Sequence, residues 1–503
     1  MAGSLVAVLL IVSILVSCAY ALLVYRGKET WYAQALSMDD IYIPEDMDLN
    51  NLGLFWLDET GKRYRYDSGE VPYDPSKPIV LYIHGWGGGG SIANPEDWIR
   101  EGYNVGNMRW GELSTISPFD AQTKLWGIDE DFFWWERNGK REFDDVPSHC
   151  VTEILAACYN DFFKEYGFYG KEIRFMGHSL GAQATLAISN YMLTSLEKGV
   201  FCADYLPDRI TMQDPYLSDM SDPTTVAWLE GEDLTEGGSS RMAYLTAKAL
   251  HERGVAIEGI RTSYVKELAE LFETNYYEDM ASYVTWVDVA SDFYPEDLIF
   301  TKKHEYALDW PSDMFDQGLV KDYSYQETAY AYSPHLPTAY SYARAGTLYD
   351  MPTNLLEDDM SDDYQYSQNI TSAKIAGFAF ADNNLNGIND ERVACRLEGV
   401  KVALYEDGKT EQITETLTSK GGYYEFLLEE SSFGKQYYIK VELPKGYKGI
   451  DIPAQSVRDQ NLMNCNGVNK KLRSEAVEIT DAGTLHIIHI GAKKKFTTIF
   501  SLK

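Results

Sequence analysis

The sequence has few cysteines, and no two of them are spaced for metal binding. Six cysteines occur in 503 residues, without any Cys-x-x-Cys pair. This absence argues against a zinc site and against a thioredoxin-type redox motif. For an exported chain we expect Cys395 to pair with Cys465. The three mid-chain cysteines could give one disulfide and one buried thiol, and the sequence does not choose their partners.

Positive charge is also scarce. The chain has 44 Lys and Arg residues against 77 Asp and Glu, which gives a formal net charge of −33. A surface of this sign repels nucleic acid and anionic membranes, so we expect neither as a primary partner.

No Lys or Arg precedes the apolar run at residues 5–24, which has the length of a signal peptide or a single membrane anchor. Residues 19–21 read Ala-Tyr-Ala, a cleavage pattern, and residues 15–18 read Leu-Val-Ser-Cys, as in the lipobox of bacterial lipoproteins. Basic residues follow the run, so an uncleaved anchor stays open. We expect residues 1–24 to be a signal peptide or a membrane or lipoprotein anchor. The protein would then be extracellular, either secreted or anchored at the cell surface.

Beyond the apolar run, the hydrophobic pattern divides the chain into two structural classes. Residues 25–350 alternate strand-like with helix-like segments, which predicts an α/β domain with a mainly parallel sheet flanked by helices. The stretch 351–372 is crowded with Asp, Glu and Tyr, as in a solvated linker. Residues 373–503 carry short alternating strands separated by turn residues, which predicts an all-β, Ig-like sandwich.

The candidate nucleophile is Ser179. Residues 177–181 read Gly-His-Ser-Leu-Gly, between a predicted strand at 173–176 and a predicted helix that starts at Ala182. In α/β-hydrolases, G-x-S-x-G in this strand–turn–helix context projects a serine from a strained turn. The helix amino terminus behind the serine favours developing negative charge. An ordinary tight turn between a strand and a helix is the alternative.

Acyl transfer also requires N–H donors for the tetrahedral oxyanion. Leu180 directly follows Ser179 and offers one backbone N–H by its position. Residues 84–86 read His-Gly-Trp after a predicted buried strand, and Trp86 would offer the second N–H. The glycines at 87–90 could instead form a phosphate-binding loop, but no Gly-Lys-Ser follows them.

The general base should be a histidine that follows the nucleophile and the acid in the chain. His335 and His304 are the two candidates, since the other histidines after Ser179 lie in a helix-like stretch or in the C-terminal region. His335 stands between Pro334 and Pro337, and a loop of this rigidity can hold an imidazole in place. His304 lies in a charged, surface-like stretch, so we favour His335.

Two aspartates are candidates for the acid that orients the histidine. Asp214 ends the strand after the nucleophile helix, and Asp292 ends a later strand. Both lie at strand carboxyl ends, where ligands bind in such sheets. These physical arguments leave the choice open.

The order of these motifs resembles the pancreatic-type lipase family over about residues 71–342. The similar segments are residues 84–86, 103–110, 177–183 and 210–215, together with the late His335. In that family the acid lies in an Ile-Thr-x-x-Asp-Pro segment, so the resemblance implies Asp214. It also implies ester hydrolysis by Ser179, Asp214 and His335, with Trp86 and Leu180 as oxyanion donors and no catalytic cofactor. The sequence departs from the family in its longer glycine turn and in lacking the cysteine-bounded lid segment, which weakens the implication of a glyceride substrate.

The stretch 382–390 places oxygen-bearing side chains at alternate positions around a Gly turn, as in the front of a calcium-binding loop. The predicted ligands are Asp382, Asn384, Asn386, the Ile388 carbonyl and Asp390. The twelfth position is Val393 rather than Glu, so a bidentate carboxylate would have to come from elsewhere, for example from Glu391. An Asx-rich turn that binds no metal is the alternative.

The surrounding C-terminal sequence resembles the B-type repeats of serine-aspartate-repeat surface adhesins. The similar motifs lie at 377–390, 399–402, 421–426 and 443–447, and the likeness covers most of residues 373–492. It implies a calcium-stabilised, Ig-like sandwich that serves as a stalk or attachment module.

Together these features predict an exported serine hydrolase that acts on an ester or a lipid, with structural Ca²⁺ in its C-terminal module. The alternative is a catalytically inactive, hydrolase-like protein that serves in surface adhesion or binding. Anchoring to a membrane or cell surface through the N-terminus is compatible with both.

Overall fold

The computed structural model describes most of the chain after residue 36. The described residues are 37–87, 89–127, 133–138, 140–146, 149–217, 238–263, 265–266, 276–289, 300–316, 337–350, 366–367, 370–460 and 464–495. The predicted signal or anchor at residues 1–24 therefore lies outside them. Within these ranges, no helix is long and apolar enough to cross a bilayer.

A ten-stranded sheet organises the N-terminal region. In chain order the strands there are β1 (Leu52–Leu57), β2 (Arg63–Arg65), β3 (Ile79–Ile83), β4 (Asn104–Trp110), β5 (Phe133–Arg137), β6 (Lys140–Asp144), β7 (Ile173–His178), β8 (Arg209–Gln213), β9 (Ala256–Arg261), β10 (Thr285–Asp288), β11 (Leu348–Asp350) and β12 (Tyr366–Ser367). Strands β5 and β6 form a separate hairpin, and the others pair in the order β12-β11-β10-β9-β8-β7-β3-β4-β1-β2. The pairs from β4 to β11 are parallel, whereas the marginal pairs β4–β1, β1–β2 and β11–β12 are antiparallel. The mainly parallel sheet predicted from the sequence is therefore present.

Helices cover both faces of this sheet. They are α1 (Pro95–Arg100), α2 (Gly111–Ser114), α3 (Pro118–Trp126), α4 (Val151–Tyr166), α5 (Leu180–Glu197), α6 (Gly238–Glu252), α7 (Tyr276–Met280), α8 (Phe300–Asp316) and α9 (Thr338–Ala343). Side chains of β3 alternate between two apolar clusters: Ile79, Leu81 and Ile83 pack with α4 and α5, and Val80 and Tyr82 pack with Trp98 of α1. Because both faces of β3 are buried, this strand reads as a continuous apolar run.

Parallel strands place their carboxyl ends at one edge of the sheet. Residues that follow β3, β7, β8 and β9 therefore meet there, although they are far apart in the sequence. This edge gathers the glycine turn after Ile83, the Ser179 turn and Asp214.

The C-terminal region is a two-sheet β-sandwich. Its elements are β13 (Ala373–Ala381), β14 (Lys401–Glu406), β15 (Gln412–Leu417), β16 (Tyr423–Leu428), β17 (Lys435–Glu442), β18 (Tyr447–Gly449), α10 (Gln455–Gln460), β19 (Val477–Ile479), β20 (Leu485–Ile487) and β21 (Ile490–Lys494). One sheet joins β16, β13, β21 and β18, with β20 also paired to β13, and the other joins β15, β14, β17 and β19. An apolar core that includes Ile375, Val402 and Ile439 lies between them.

This module packs against the N-terminal region where the parallel strands begin. Arg392 donates from its guanidinium to the Asp208 carboxylate and to the Leu206 carbonyl oxygen. Asp208 directly precedes β8, and its carboxylate also accepts from the backbone N–H of Ile173, 2.7 Å away, at the start of β7. Burial raises the pKa of Asp208 to about 6, against the lowering effect of Arg392.

An aromatic contact completes this interface. The ring of Tyr342 lies with its centroid 5.1 Å from that of Phe378 and 4.5 Å from that of Tyr423. The backbones of the two regions also touch: a Cβ built on Gly421 would approach the Gly254 nitrogen to 2.4 Å.

The stretch 351–372, predicted as a solvated linker, contributes one short strand to the N-terminal sheet, because its residues 366–367 form β12 and pair with β11.

The expected disulfide between Cys395 and Cys465 is wrong. The five cysteines among the described residues are all free thiols. Asn383 donates from its side-chain amide to the sulfur of Cys395 at 3.1 Å, while the Cys465 backbone bridges to Ile388. The two cysteines thus belong to separate contacts of the 382–390 loop. The mid-chain cysteines Cys150, Cys158 and Cys202 likewise form no disulfide.

Candidate active site

Ser179 occupies a sharp turn between β7 and α5. Its backbone has a φ of 57° and a ψ of −123°, a conformation that residues with side chains rarely adopt. A Cβ at Gly177 would lie 2.2 Å from the Gly181 carbonyl oxygen, and one at Gly181 would lie 2.1 Å from the Ile83 carbonyl oxygen. The turn can therefore close only with glycine at both positions. Gly-His-Ser-Leu-Gly thus has the strand–turn–helix context that the sequence predicts.

The glycine turn after β3 lies directly against Ser179. A Cβ built on Gly85 would approach the His178 carbonyl oxygen to 2.7 Å and the Ser179 Cβ to 3.1 Å. Trp86 is the next residue of this turn, and Leu180 is the first residue of α5, where a backbone N–H has no acceptor within the helix. The structure therefore brings the two predicted oxyanion donors onto segments that touch at the serine.

Hydrogen bonds hold this turn in place. The Trp86 indole donates to the Ile116 carbonyl oxygen, and the Gly87 N–H donates to the Ser114 carbonyl oxygen at 3.0 Å. His84 donates from Nδ1 to the Gly85 carbonyl at 2.9 Å and accepts at Nε2 from the Trp110 N–H at 3.1 Å. Burial lowers the pKa of His84 to about 4, so this imidazole is neutral at pH 7 and can keep both bonds.

Asp214 directly follows β8, and its carboxylate is buried among four donors. The Oδ1 atom accepts from the backbone N–H groups of Thr262 and Ser263 at 3.0 and 3.1 Å, and Oδ2 accepts from the Ser263 hydroxyl and from His304. Donors on both oxygens stabilise an ionised carboxylate. Asp292, the other candidate acid, lies outside the described residues. Nothing in the sequence singled out Thr262 and Ser263, which follow β9 and approach Asp214 only in the folded sheet.

The imidazole on Asp214 belongs to His304. Its Nδ1 lies 2.6 Å from the Asp214 Oδ2, so it acts as the donor to this acceptor-only oxygen. His304 lies in α8 rather than in the exposed charged stretch expected from the sequence, and its side chain is 16% exposed. His335, which the sequence favoured as the base, lies outside the described residues.

Ser179 and His304 line one cavity of about 640 Å³. Its polar wall is formed by the glycine turn, Ser179 and His304, and its apolar wall includes Tyr216, Val265 and Leu308. A volume of this size accommodates a small ligand with a modest apolar part. Trp86 stands at the cavity with a side chain that is 56% exposed.

The predicted calcium loop is closed by hydrogen bonds among its own side chains. Asp390 accepts from the side-chain amides of Asn384 at 3.1 Å and Asn386 at 2.8 Å, while Asp382 accepts from the Gly387 N–H at 2.8 Å. Among the described residues, no group of three or more His, Cys, Asp or Glu side chains is arranged as a metal site. Most of the predicted ligands are Asn side chains or a carbonyl oxygen rather than such groups.

Two buried carboxylate oxygens at this loop lack a partner. They are Oδ1 of Asp382 and Oε2 of Glu391. Burial raises the pKa of Glu391 to about 7, and the carboxylates of Asp382 and Asp390 add to this effect. Buried carboxyl oxygens without a donor, beside further carboxylates, fit a site that takes a hard cation.

Comparison with known proteins assigns the C-terminal module. The SdrD B-like domain family matches residues 373–487. This match confirms the predicted resemblance to adhesin B-type repeats and its position in the chain. A search of curated proteins finds no match to the chain.

The solved structures that are similar to the chain include esterases and a pilin. Esterase B from Lactobacillus rhamnosis HN001 is 15% identical, with 60% of this chain and 95% of that chain covered and a TM-score of 0.25. A putative carboxylesterase from Lactobacillus plantarum WCFS1 is 11% identical, with 52% and 91% covered and a TM-score of 0.27. A shaft pilin from Lactobacillus rhamnosus GG is 14% identical, with 25% and 51% covered and a TM-score of 0.15. The resemblance to pancreatic-type lipases stays a prediction.

Proposed function

We propose that the protein is a serine hydrolase of the α/β-hydrolase type that cleaves carboxylic esters through an acyl-enzyme. One observation carries this proposal. Ser179, on its strained turn, lines the same cavity as His304, and Nδ1 of His304 is hydrogen-bonded to the buried Asp214 carboxylate. A nucleophile, an imidazole and a carboxylate in this order are the working parts of serine acyl transfer.

The proposed first step is acylation of Ser179. The serine Oγ forms a bond to the ester carbonyl carbon, while its proton passes to Nε2 of His304. The bond from that carbon to the alcohol oxygen then breaks, and the alcohol leaves with the proton from His304. Asp214 accepts the Nδ1–H of His304, so in the proposed mechanism Nε2 is the nitrogen that takes the proton.

Deacylation repeats these transfers with water as the nucleophile. His304 takes a proton from water, the hydroxide oxygen attacks the acyl carbon, and Ser179 leaves with the proton returned. In both steps the backbone N–H groups of Trp86 and Leu180 would bind the oxyanion. The close approach of Gly85 to Ser179 supports Trp86, the next residue of the turn, as one of these donors.

We assign the base to His304 rather than to His335, which the sequence favoured. The 2.6 Å contact with Asp214 supports this assignment, because one carboxylate oxygen with two donors has no room for a second imidazole. It also supports Asp214 over Asp292 as the acid.

The cavity wall favours uncharged esters with a short to medium acyl group. Tyr216, Val265 and Leu308 offer apolar surface, and about 640 Å³ is too small for a long chain together with its alcohol unless the chain extends into solvent. The match to an SdrD B-like domain supports a surface-associated, extracellular enzyme.

The decisive experiment measures hydrolysis of nitrophenyl esters of graded chain length by the wild type and by Ser179→Ala. We expect the wild type to prefer short to medium acyl groups and the variant to lose at least about 10³-fold in kcat/KM. Equal rates in the two proteins would refute the enzyme and leave the inactive adhesion protein as the better description. A preference for long-chain glycerides would instead support a lipase.

We also propose that the 382–390 loop binds Ca²⁺ as a structural ion. Asp382, Asn384, Asn386, the Ile388 carbonyl and Asp390 would hold it, with Glu391 as a further carboxylate. A bound Ca²⁺ would supply positive charge for the unpartnered oxygens of Asp382 and Glu391. Chelation should lower the melting temperature of the wild type but not of Asp382→Ala, and a wild type indifferent to chelator would remove the site.

A further inference from the structure

The proposed base lies in a helix that contains a proline. Helix α8 runs from Phe300 to Asp316, with Pro311 inside it. Proline has no backbone N–H, so it cannot donate to the carbonyl four residues before it. The Ala307 carbonyl therefore lacks its helical donor, and Ala307 is fully buried, away from water that could replace it.

Gln213 supplies the missing donor. Its side-chain Nε2 lies 2.6 Å from the Ala307 carbonyl oxygen. Gln213 is the last residue of β8 and directly precedes Asp214. The strand that leads into the proposed acid therefore also hydrogen-bonds to α8, the helix that carries His304. Its side chain is buried, which makes this bond strong relative to one in water.

His178 makes a second, similar contact one strand away. Its Nε2 donates to the main-chain carbonyl of His304 at 2.8 Å, and its ring centroid lies 4.2 Å from that of the His304 imidazole. Burial, together with the neighbouring His304, lowers the pKa of His178 to about 4. His178 is thus a neutral donor at pH 7. It is the last residue of β7 and directly precedes Ser179.

We infer that His178 and Gln213 are positioning residues that hold α8 at two points, the carbonyls of His304 and Ala307, and so set the imidazole against Asp214. We call this pair of contacts the helix clamp. The inference rests on the proposed function, with His304 as the base. Ser179 and Asp214, which directly follow β7 and β8, are then each preceded by a residue that positions His304, the third member of the proposed triad.

The clamp explains why a proline is useful inside this helix. With a residue other than proline at position 311, the backbone N–H of that residue would donate to the Ala307 carbonyl within α8 and would compete with the Gln213 amide. Pro311 leaves one acceptor open at the point where the helix crosses the end of β8. The hydrogen bond that α8 lacks at Ala307 is thus replaced by a hydrogen bond from β8.

The test uses labelling of Ser179 by a fluorophosphonate. The serine Oγ bonds to phosphorus, fluoride leaves, and the proton passes to the base, so the rate reports the base without requiring knowledge of the natural ester. The variants are His178→Phe, which keeps a ring but loses the donor, and Gln213→Leu, which loses the donor at similar volume. Ser179→Ala is the unlabelled control, and His178→Gln, which restores an N–H donor, tests rescue.

We expect each donor-deleting variant to label about 10- to 100-fold more slowly, with the apparent affinity for the probe unchanged. The pH at which labelling reaches half its maximum should also move, because the His304 imidazole is no longer held in a fixed position against Asp214. His178→Gln should recover part of the rate. A purely structural role would change neither the pH profile nor the rate per folded molecule.

A double variant separates positioning from stability. In Gln213→Leu with Pro311→Ala, residue 311 regains an N–H for the Ala307 carbonyl, so the melting temperature should recover while labelling stays slow. Wild-type rates in His178→Phe and Gln213→Leu would overturn the clamp. A wild type that the probe does not label would overturn the proposed function instead, so the two failures are distinguishable.

Discussion

His304 donates from Nδ1 to the Asp214 carboxylate across 2.6 Å, although 90 residues separate them in the sequence. The carboxylate is 2% exposed and is held on both oxygens, so the imidazole has a fixed partner. In the proposed triad this pair assigns the role of base to His304 rather than to His335, and the first two predictions test it.

Replacement of the base should separate His304 from His335. We expect His304→Ala to lower kcat/KM for a short nitrophenyl ester by about 10³-fold or more, because proton transfer from Ser179 loses its acceptor. His335→Ala should stay within a few-fold of the wild type. The reverse pattern, with the large loss at His335, would show that the Asp214–His304 pair is not catalytic.

Replacement of the acid should separate Asp214 from Asp292. An Asn at 214 keeps the shape but presents an N–H₂ group to the donors around it, so His304 is driven toward the wrong tautomer. We expect Asp214→Asn to cost about 10⁴-fold in kcat and Asp292→Asn to cost little. Steady-state kinetics of the two purified variants, with melting temperatures as the folding check, decide between them.

The glycine turn offers a matched pair of variants. A methyl group at Gly85 would press on the His178 carbonyl oxygen and the Ser179 Cβ, whereas one at Gly89 meets nothing within 4 Å. We expect Gly85→Ala to shift the oxyanion turn and lower kcat by about 10²-fold or more, and Gly89→Ala to leave it unchanged. Similar kcat values for both variants would contradict the close contact between this turn and the serine.

Acid should destabilise the fold through its buried histidines. Burial lowers the pKa of His84, His178 and His251 to about 4, from an ordinary value near 6.5. Between these values the unfolded chain binds protons that the folded chain does not. The free energy of unfolding therefore falls as the pH drops from 6.5 to 4, by up to about 3 kcal/mol per histidine.

The variant His251→Phe isolates one of these contributions. The imidazole of His251 stacks on Tyr342 at 4.3 Å, a contact that a phenyl ring can keep without titrating. Asp208, whose pKa is raised, acts in the opposite sense, so the test compares slopes rather than absolute values. We expect the melting temperature of the variant to depend less steeply on pH, and identical slopes would contradict the assignment.

The nucleophile could be located from the sequence because its constraints are local. A Cβ at Gly177 or Gly181 would collide with backbone atoms of the same turn or of the neighbouring strand. Both positions therefore require glycine, and the requirement is visible as a short sequence motif. Strand β3 and helix α4 are also marked locally, because the continuous apolar run of the strand and the apolar spacing of the helix report their own burial.

The base could not be located in this way. The sequence favoured a loop stiffened by two prolines. His304 instead lies in α8, which is held by contacts with Asp214, His178 and Gln213, and no local sequence pattern predicts these contacts. The cysteine pairing failed for the same physical reason. Proximity in the sequence, or membership of one module, does not place two sulfur atoms together.

Arg392 reaches Asp208 just before β8 begins, and Asp214 follows the strand's last residue. Five residues of strand, about 17 Å, thus separate the point where the module attaches from the carboxylate of the proposed triad. A chain shortened before residue 373 would lose the guanidinium that compensates a buried carboxylate and would expose Tyr342 to water. We therefore expect the region that bears the proposed triad and the C-terminal module to unfold as one cooperative unit.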